Sequence, residues 1–567
     1  MIKRLFSACA QGYRTWAHMP LALFMLVFIV LQSVVMAYNT PYSYPPDEVP
    51  HLSYIRDSIQ SPVALPDFKT GKLMGFGQSP NYLAHPALYY SALGVVGKVF
   101  ALNPKANYLV FRLFGVAFVG LGLIFTVLTA REFKMQPGAV ALTLFACAGI
   151  PMFAYLAGSV TNDTLLYTGM AMGFYGLARA MNPARTGRHT GSYTILLLGL
   201  LITFLTKATG MAFMVFFFGA LAVLNLRRLH PVLLLQSTWR HVAVFVALVG
   251  GYYVVIRLTH GALFPKPSDL YVLVPPQTPL DFLGYSQEYV YTMWRRLPGI
   301  LSHLSVAPID ERWLPVFYTM VCLPLVGWLV VRFSTPLLTA DRMAIRFFDA
   351  LALATLATLT LHLVFGYRAY LGNGMLSGLQ PRYYAYLLPV IWFPFFVLCQ
   401  PGWFKQTVTA LFAASALGVF WASSPVVLLK QQQALQDLPQ NLAYTDHSPL
   451  KTEPLQVPLR DTVTGRLETL TLTNGELRAK GWVFDGQRGD KVQRLWILAK
   501  NQFIASMPVQ VKREDVAAAL GTPQAMNAGF AFTARRIPAT LVVCDIRLMA
   551  EFRDGSFGHL RTDGCAP

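Results

Sequence analysis

The sequence is short of acid. Asp and Glu together supply 27 of 567 residues, and charged residues of both signs only 13%. So little charge excludes an ordinary soluble enzyme. The chain also lacks a small-residue cleavage site after its first apolar segment. Met1 to Asn39 therefore reads as a signal anchor rather than a removable leader. The formal charge of +19 would by itself suggest nucleic acid. The basic residues, however, cluster between hydrophobic segments, where the positive-inside bias puts them. Membrane lipid, not nucleic acid, is the expected surrounding.

What the chain has instead is apolar length. Hydrophobic residues make up 54%, and mean hydropathy is +0.45. A helix needs about 20 apolar residues to cross a bilayer core. Such segments are expected at 20–38, 107–130, 138–157, 164–181, 192–206, 209–226, 239–258, 314–332, 345–366, 383–400 and 405–424. A further stretch, 86–101, is short and carries Lys98. Taken as an interfacial or re-entrant helix, it leaves the basic connections on one side: Lys3, Arg4 and Arg14, then Arg131 and Lys134, Arg179, Arg185 and Arg188, Arg227, Arg228 and Arg240, Arg332, Arg342 and Arg346, and Lys405. Taken as a twelfth span, it would send the tail to the cytoplasm.

The expectation is a polytopic α-helical membrane domain over residues 1–430 with about eleven transmembrane helices and a cytoplasmic N-terminus. Residues 431–567 form a polar, β-patterned, extracytoplasmic domain. This topology puts four features on the outer face: the acidic loop 39–105, the turn Ser159–Asp163, the loop 259–313 and the loop 367–382.

In a chain that avoids acids, two adjacent carboxylates stand just after the first apolar segment, in Pro45-Pro46-Asp47-Glu48-Val49-Pro50-His51. The prolines stop a helix from running continuously out of the membrane. His51 to Gln60 reads as a short amphipathic helix with Leu52, Ile55 and Ile59 on one face. Asp47 then lies near a helix N-terminus, where the dipole favours an ionised carboxylate. Such a group serves as a general base or, more plainly, as a helix cap. The same residues imitate a His-Glu-x-x-His zinc motif with Asp for the first His. That motif needs an uninterrupted helix, which Pro50 opposes, and no further ligand cluster is evident.

At these residues the sequence resembles the GT-C fold glycosyltransferases, which include protein O-mannosyltransferases, the aminoarabinose transferase of lipid A and mycobacterial arabinofuranosyltransferases. It is most similar to a bacterial branch with Pro-Pro-Asp-Glu-x-x-His, then His-Pro-Pro-Leu-Tyr-Tyr, then a late Arg-Tyr-x-x-Pro. Here these are Pro45–His51, His85-Pro86-Ala87-Leu88-Tyr89-Tyr90, and Arg382-Tyr383 with Pro389. Ala87 departs from the pattern, and Pro389 lies further from Arg382 than the usual spacing. The resemblance implies a GT-C-like fold and transfer of a sugar from a polyprenyl-phosphate donor. Asp47 would be the base and Glu48 its assistant or alternative. His51 and His85 would touch donor or acceptor.

The resemblance also implies a second acidic site on the next outer turn, Ser159-Val160-Thr161-Asn162-Asp163. The simpler role for Asn162 or Asp163 is an N-cap. Lys207 interrupts an apolar run too long for one span, and an ionisable residue at that depth is a functional candidate. Snorkelling to the headgroups is its bland alternative. Arg368 and Arg382 flank the loop 367–382, and Arg suits bidentate phosphate contacts. Arg382 and Tyr383 would equally serve as interface anchors. Loop 259–313 holds Tyr285, Tyr289, Tyr291, Trp294 and Trp313, among which the sequence selects none.

In the tail, strand-like runs are expected at 467–472, 477–484, 494–498, 503–507, 528–533, 539–543 and 546–552. They read as a small β-sandwich. It resembles β-rich modules appended to bacterial glycosyltransferases, through Gly481-Trp482 and Asp515 with Gly529-Phe530. Of six cysteines, Cys9, Cys147, Cys322 and Cys399 lie in or beside membrane segments, where a small apolar role suffices. A two-residue hairpin loop at Asp554-Gly555 would place Cys544 opposite Cys565, about 4.5 Å apart at Cα, within disulfide range. A disulfide needs an oxidising compartment, hence a periplasmic tail.

The expected function is a membrane glycosyltransferase of a bacterial inner membrane, with Arg382, Lys207, Arg368 and Tyr383 toward the donor phosphate. The acceptor would be envelope glycan, lipid or a surface protein such as a pilin. The resemblance tilts the sugar toward arabinofuranose. It requires no metal, though some relatives use a divalent cation. The competing class is a transporter or flippase for lipid-linked sugars, which would be expected to show internal repeats. None is found.

Overall fold

In lipid a backbone must satisfy its own hydrogen bonds, so apolar runs become helices. In the computed structural model most of the chain from Met19 to Leu560 is described. Outside the description lie residues 1–18, 41, 43–44, 46, 75–79, 183–189, 226–230, 268–271, 274–278, 299–310, 335–341, 374–379, 424–458, 461–462, 487–491, 500–501, 536–540, 553–556 and 561–567.

The helices are α1 (Pro20–Asn39), α2 (Glu48–Gln60), α3 (Leu88–Val99), α4 (Tyr108–Glu132), α5 (Pro137–Gly149), α6 (Pro151–Ala157), α7 (Asp163–Met181), α8 (Thr190–Phe204), α9 (Ala208–Asn225), α10 (Pro231–His260), α11 (Phe282–Arg295), α12 (Leu314–Ser334), α13 (Arg342–Asn373), α14 (Phe393–Leu398), α15 (Trp403–Ser423) and, in the tail, α16 (Glu514–Ala519). Among the described residues six helices are long and apolar enough to cross a bilayer, in α1, α4, α10, α12, α13 and α15. The pair α5–α6 makes a seventh if counted as one span, bent by 80°. Pro151, which cannot continue the hydrogen-bond ladder, sits at that bend. Long apolar helices alone thus do not reach the expected count of eleven.

Three expectations need correction. The stretch 383–400 is not one helix. It is a 3-10 segment, Pro381–Leu387, followed by turns and the short α14. Pro381, Pro389 and Pro394 remove the donors a helix would need. Most of the segment is buried, with Leu387, Leu388, Val390, Trp392, Phe393 and Phe396 all in the core. Irregular backbone at membrane depth is tolerated only when protein covers it. Second, α13 runs on to Asn373, so Arg368 is helical rather than in a loop. Third, the acidic helix begins at Glu48 rather than His51, with Pro50 in its first turn. The doubtful stretch 86–101 yields only α3, 12 residues long, about 18 Å and too short to cross.

The tail is a two-sheet sandwich. One sheet has the order β1-β7-β4-β3 and the other β2-β9-β8-β5-β6. The strands are β1 (Val272–Leu273), β2 (Leu459–Arg460), β3 (Val463–Thr473), β4 (Glu476–Asp485), β5 (Val492–Ala499), β6 (Gln502–Pro508), β7 (Gly529–Arg535), β8 (Ile546–Phe552) and β9 (Phe557–Leu560). Alternate residues face inward, among them Leu477, Ala479 and Val483, Phe530 and Phe532, Leu495 and Ile497, and Leu548 and Ala550. The expected strand at 539–543 is absent from its described part, where Val543–Asp545 is a 3-10 turn. Three strands were not expected. Two are β2 and β9, which pair with each other. The third, β1, belongs to the loop after α10 and pairs antiparallel with β7.

The hairpin register also differs from expectation. Glu551 faces Phe557, where a two-residue loop would set it against Gly558, and Gly558 faces Ala550 instead. The connection is longer than two residues, and Cys544 precedes the paired strand. Cys544 is disulfide-bonded, while Cys565 lies outside the described residues, as does Cys9. Cys147, Cys322 and Cys399 are free.

Candidate functional site

Asp47 stands at the N-cap position of α2 in the left-handed region, φ 62° and ψ 16°. Asp tolerates that region better than most residues. Its side chain makes no capping bond. Instead Oδ1 accepts a hydrogen bond from the Tyr82 hydroxyl at 2.7 Å, and Oδ2 accepts one from Arg382 Nη2. Asp47 and Arg382 form a buried ion pair across 335 positions of sequence. The 3-10 turn of Pro381–Leu387 brings Arg382 to it.

Glu48 has a different environment. Its carboxylate is wholly buried and grips Arg112 of α4 with both oxygens, at 2.7 and 2.8 Å. Arg112 also donates to the carbonyls of Ala37, at 2.8 Å, and Thr40, at 2.5 Å, where α1 ends. Neither side chain is exposed at all. The pair ties α1, α2 and α4 together.

A second ion pair sits beside Asp47. Lys207, in the turn between α8 and α9, donates to Asp163 Oδ1 at 2.5 Å. Asp163 opens α7, and α7 and α8 pack as neighbours, bringing the two groups to one end. Glycines allow the close approach: a Cβ on Gly199 would lie 2.4 Å from the Gly173 nitrogen. Asn162 does not cap α7; its Nδ2 donates to the Thr206 carbonyl at 3.0 Å, fastening the Lys207 turn. Desolvation pushes the Asp163 carboxyl up, but the cations of Lys207 and Arg382 outweigh it and hold it below the usual carboxylate range.

The aromatic ring of Tyr383 joins the pairs. Lys207 Nζ is 4.8 Å from its centroid and Arg382 Cζ 5.6 Å. On another side, His51 and His85 lie with rings parallel, centroids 6.0 Å apart. His51 Nδ1 bonds the Tyr90 hydroxyl at 2.9 Å. Burial drives His51 down to about 3, against the opposing pull of Asp47. Burial and then Lys207 push His85 well below its ordinary range. Both imidazoles are neutral near pH 7. Beneath the pairs is a small cavity, ≈ 20 Å³, room for a water. The bend before α6 lays Phe153, Leu156 and Ala157 along its wall, with Val119, Thr164 and Tyr167; Asp163 and Arg382 supply its charge.

Asp47, His51, His85, Asn162, Asp163, Lys207, Arg382 and Tyr383 are therefore brought together. Glu48 adjoins them but faces Arg112. Arg368 is left out: it is exposed on α13. Among the described residues no three His, Cys, Asp or Glu side chains gather as metal ligands. Sequence reasoning passed over Tyr82, Tyr90 and Arg112. A lone Arg inside the apolar run 107–130 was the available signal for Arg112, and Tyr90 closes the His85–Tyr90 motif. Tyr82 carried no signal. The loop aromatics Tyr285 and Tyr289 are buried in a cluster with Tyr370.

Fold and site together define a multi-span membrane protein with a polar cluster at one end of its bundle and a β-sandwich tail. The chain belongs to the family described as predicted membrane protein DUF2142, whose model matches residues 66–393. No curated protein matches the sequence. Among solved structures, the chain is similar to ArnT from Cupriavidus metallidurans bound to undecaprenyl phosphate, with 14% identity, TM-score 0.45, and 77% of this chain and 86% of that one covered. It is also similar to the apo state of ArnT from the same organism, with 15% identity, TM-score 0.35, and coverage of 79% and 84%.

Proposed function

We propose that the protein is a GT-C-type glycosyltransferase that moves a sugar from a polyprenyl-phosphate donor to an acceptor hydroxyl. One observation supports this most: Asp47 and Arg382, from opposite ends of the helical part, form a buried pair beside Lys207 and Asp163. Two cations on one Tyr383 ring suit a phosphate. A carboxylate within reach of them suits a base.

The chemistry balances without further groups. The acceptor oxygen bonds to the anomeric carbon while the carbon–oxygen bond to phosphate breaks. The electron pair leaves with polyprenyl phosphate, steadied by Arg382 and Lys207. The acceptor proton goes to Asp47, and configuration inverts. Before the donor arrives, Arg382 and Tyr82 occupy both oxygens of Asp47. The incoming phosphate draws Arg382 away and frees the base only when the leaving group is seated. Glu48 acts as an anchor through Arg112, not as a second base. His51 and His85, neutral, offer hydrogen bonds to sugar or acceptor.

The site end is proposed to face the periplasm, with the tail beside it and the N-terminus in the cytoplasm of an inner-membrane protein. The sugar is proposed to be arabinofuranose and the acceptor an envelope glycan, lipid or pilin-like protein. The test is a panel of synthetic polyprenyl-phosphate sugars offered, with candidate acceptors, to purified wild type and Asp47→Asn. Release of polyprenyl phosphate by wild type alone, with donor binding kept in the variant, supports the reading. Donor binding without turnover in either protein favours a lipid-sugar transporter.

A further inference from the structure

Among the described residues, at least three contacts join the tail to the helical part. First, β1 extends the sheet of β7. Second, Arg494 of β5, whose side chain is 4% exposed, sends its guanidinium into α11. Its Nε donates to Glu288 at 3.0 Å, and its Nη2 to Glu288 and Thr292. Third, Gln510, just after β6, bonds the Tyr370 hydroxyl, and that hydroxyl accepts the Leu280 N–H at 2.9 Å just before α11. A buried Arg whose hydrogen bonds reach into a neighbouring domain is costly unless its geometry is held.

The same face of α11 that meets Arg494 also leads to the site, since positions 285, 288, 289 and 292 fall on one side of a helix. Tyr285 and Tyr289 pack against Tyr370. The Tyr289 hydroxyl is hydrogen-bonded to that of Tyr384, which also bonds His362 Nδ1 at 2.8 Å. Tyr384 belongs to the same 3-10 segment as Arg382 and Tyr383.

We propose that the tail is a positioning device for the candidate site: Arg494 fixes α11, and Tyr289 of α11 fixes the turn that presents Arg382 to Asp47. Arg494 and Tyr289 are positioning residues; neither is among the groups assigned to donor or acceptor. The functional meaning rests on the transferase reading, but the physical coupling does not.

The test is hydrogen–deuterium exchange of the full-length protein in lipid nanodiscs, without donor. Arg494→Met is expected to raise exchange at 282–295 and at 381–391 by roughly tenfold each, leaving α4 unchanged. Tyr289→Phe is expected to loosen 381–391 alone, so it remains informative if Arg494→Met folds poorly. The double variant should exceed neither single effect at 381–391, and Arg494→Lys should restore part of the protection. Loosening at 282–295 with 381–391 unmoved overturns the proposal. So does a uniform rise across every helix, which would make the tail a general support. In the transfer assay Arg494→Met is expected to raise donor KM by roughly tenfold with a smaller change in kcat. A wild type without turnover sinks the transferase reading and leaves the exchange result to stand or fall by itself.

Discussion

Asp47 and Glu48 are neighbours in sequence and belong to different regions of the molecule. Glu48 lies in a sealed anchor: both its oxygens hold Arg112, and Arg112 has no exposed surface. Asp47 lies in a cluster beside a cavity, held by one nitrogen of Arg382 and one hydroxyl of Tyr82. The anchor's bonds join three helices and leave nothing for a ligand to compete for. The cluster's bonds include charged groups, Arg382 and Lys207, that a phosphate could claim, and a carboxylate that an acceptor could claim. Buried charge by itself does not mark chemistry; exchangeable pairing does.

That contrast is open to attack. The largest effect expected is on turnover: Asp47→Asn should lower sugar transfer by about 10³-fold, within the usual range for a lost general base, with a lowered thermal midpoint because Arg382 loses its buried counter-charge. If Glu48→Gln were equally inactive while fully folded, the division of roles would fail. Next comes stability. Arg112→Met strands Glu48 in a dry interior and should cost about 3–5 kcal/mol, read as a collapse of the thermal midpoint in detergent. Arg382→Lys, which keeps charge but loses the fork, should weaken binding of polyprenyl phosphate by about tenfold with little change in midpoint.

The pH response is smaller. His51, held at about 3, and His85, held well below its ordinary range, are neutral in the folded protein. The unfolded chain protonates each near pH 6.5. Between those limits the unfolded state binds more protons, so stability falls as pH falls, by up to about 1.4 kcal/mol per unit for each histidine. His51→Gln should flatten the midpoint-against-pH curve between pH 6 and 4; an unchanged slope would show that this burial does not govern it. The smallest effect belongs to Arg368→Ala, exposed on α13, expected within about 0.5 kcal/mol and without loss of transfer. A large loss there would extend the cluster beyond its present bounds.

Much of this was legible before any coordinates. The acidic pair was conspicuous because the surrounding sequence has so little acid. Lys207 was conspicuous because it interrupts an apolar run. What sequence could not supply was pairing. Nothing near Lys207 names Asp163 as its partner, and nothing near Asp47 names Arg382; only the packing of α7 on α8 and the buried 3-10 turn do that. Glu48 looked like Asp47's equal because adjacency in a chain says nothing of facing. The stretch 383–400 passed for a helix on hydropathy, which counts proline as mildly polar and is blind to its missing N–H. Arg368 fell in a loop because the expected span ended at 366, whereas the helix runs on to Asn373. In the tail, alternation found most strands, whereas the hairpin register failed by one position, since it hung on an assumed loop length.

The pairing of β1 with β7 also bears on how the molecule is made. The strand at Val272–Leu273 leaves the ribosome long before Arg535, its partner. Until the last stretch of the chain is delivered, that short edge has no neighbour, and α11 has no Arg494 to hold it. Completion of synthesis is thus recorded in the middle of the protein. A chain cut short after its last long helix would display an open strand and a loose α11, which a protease would detect before any substrate did.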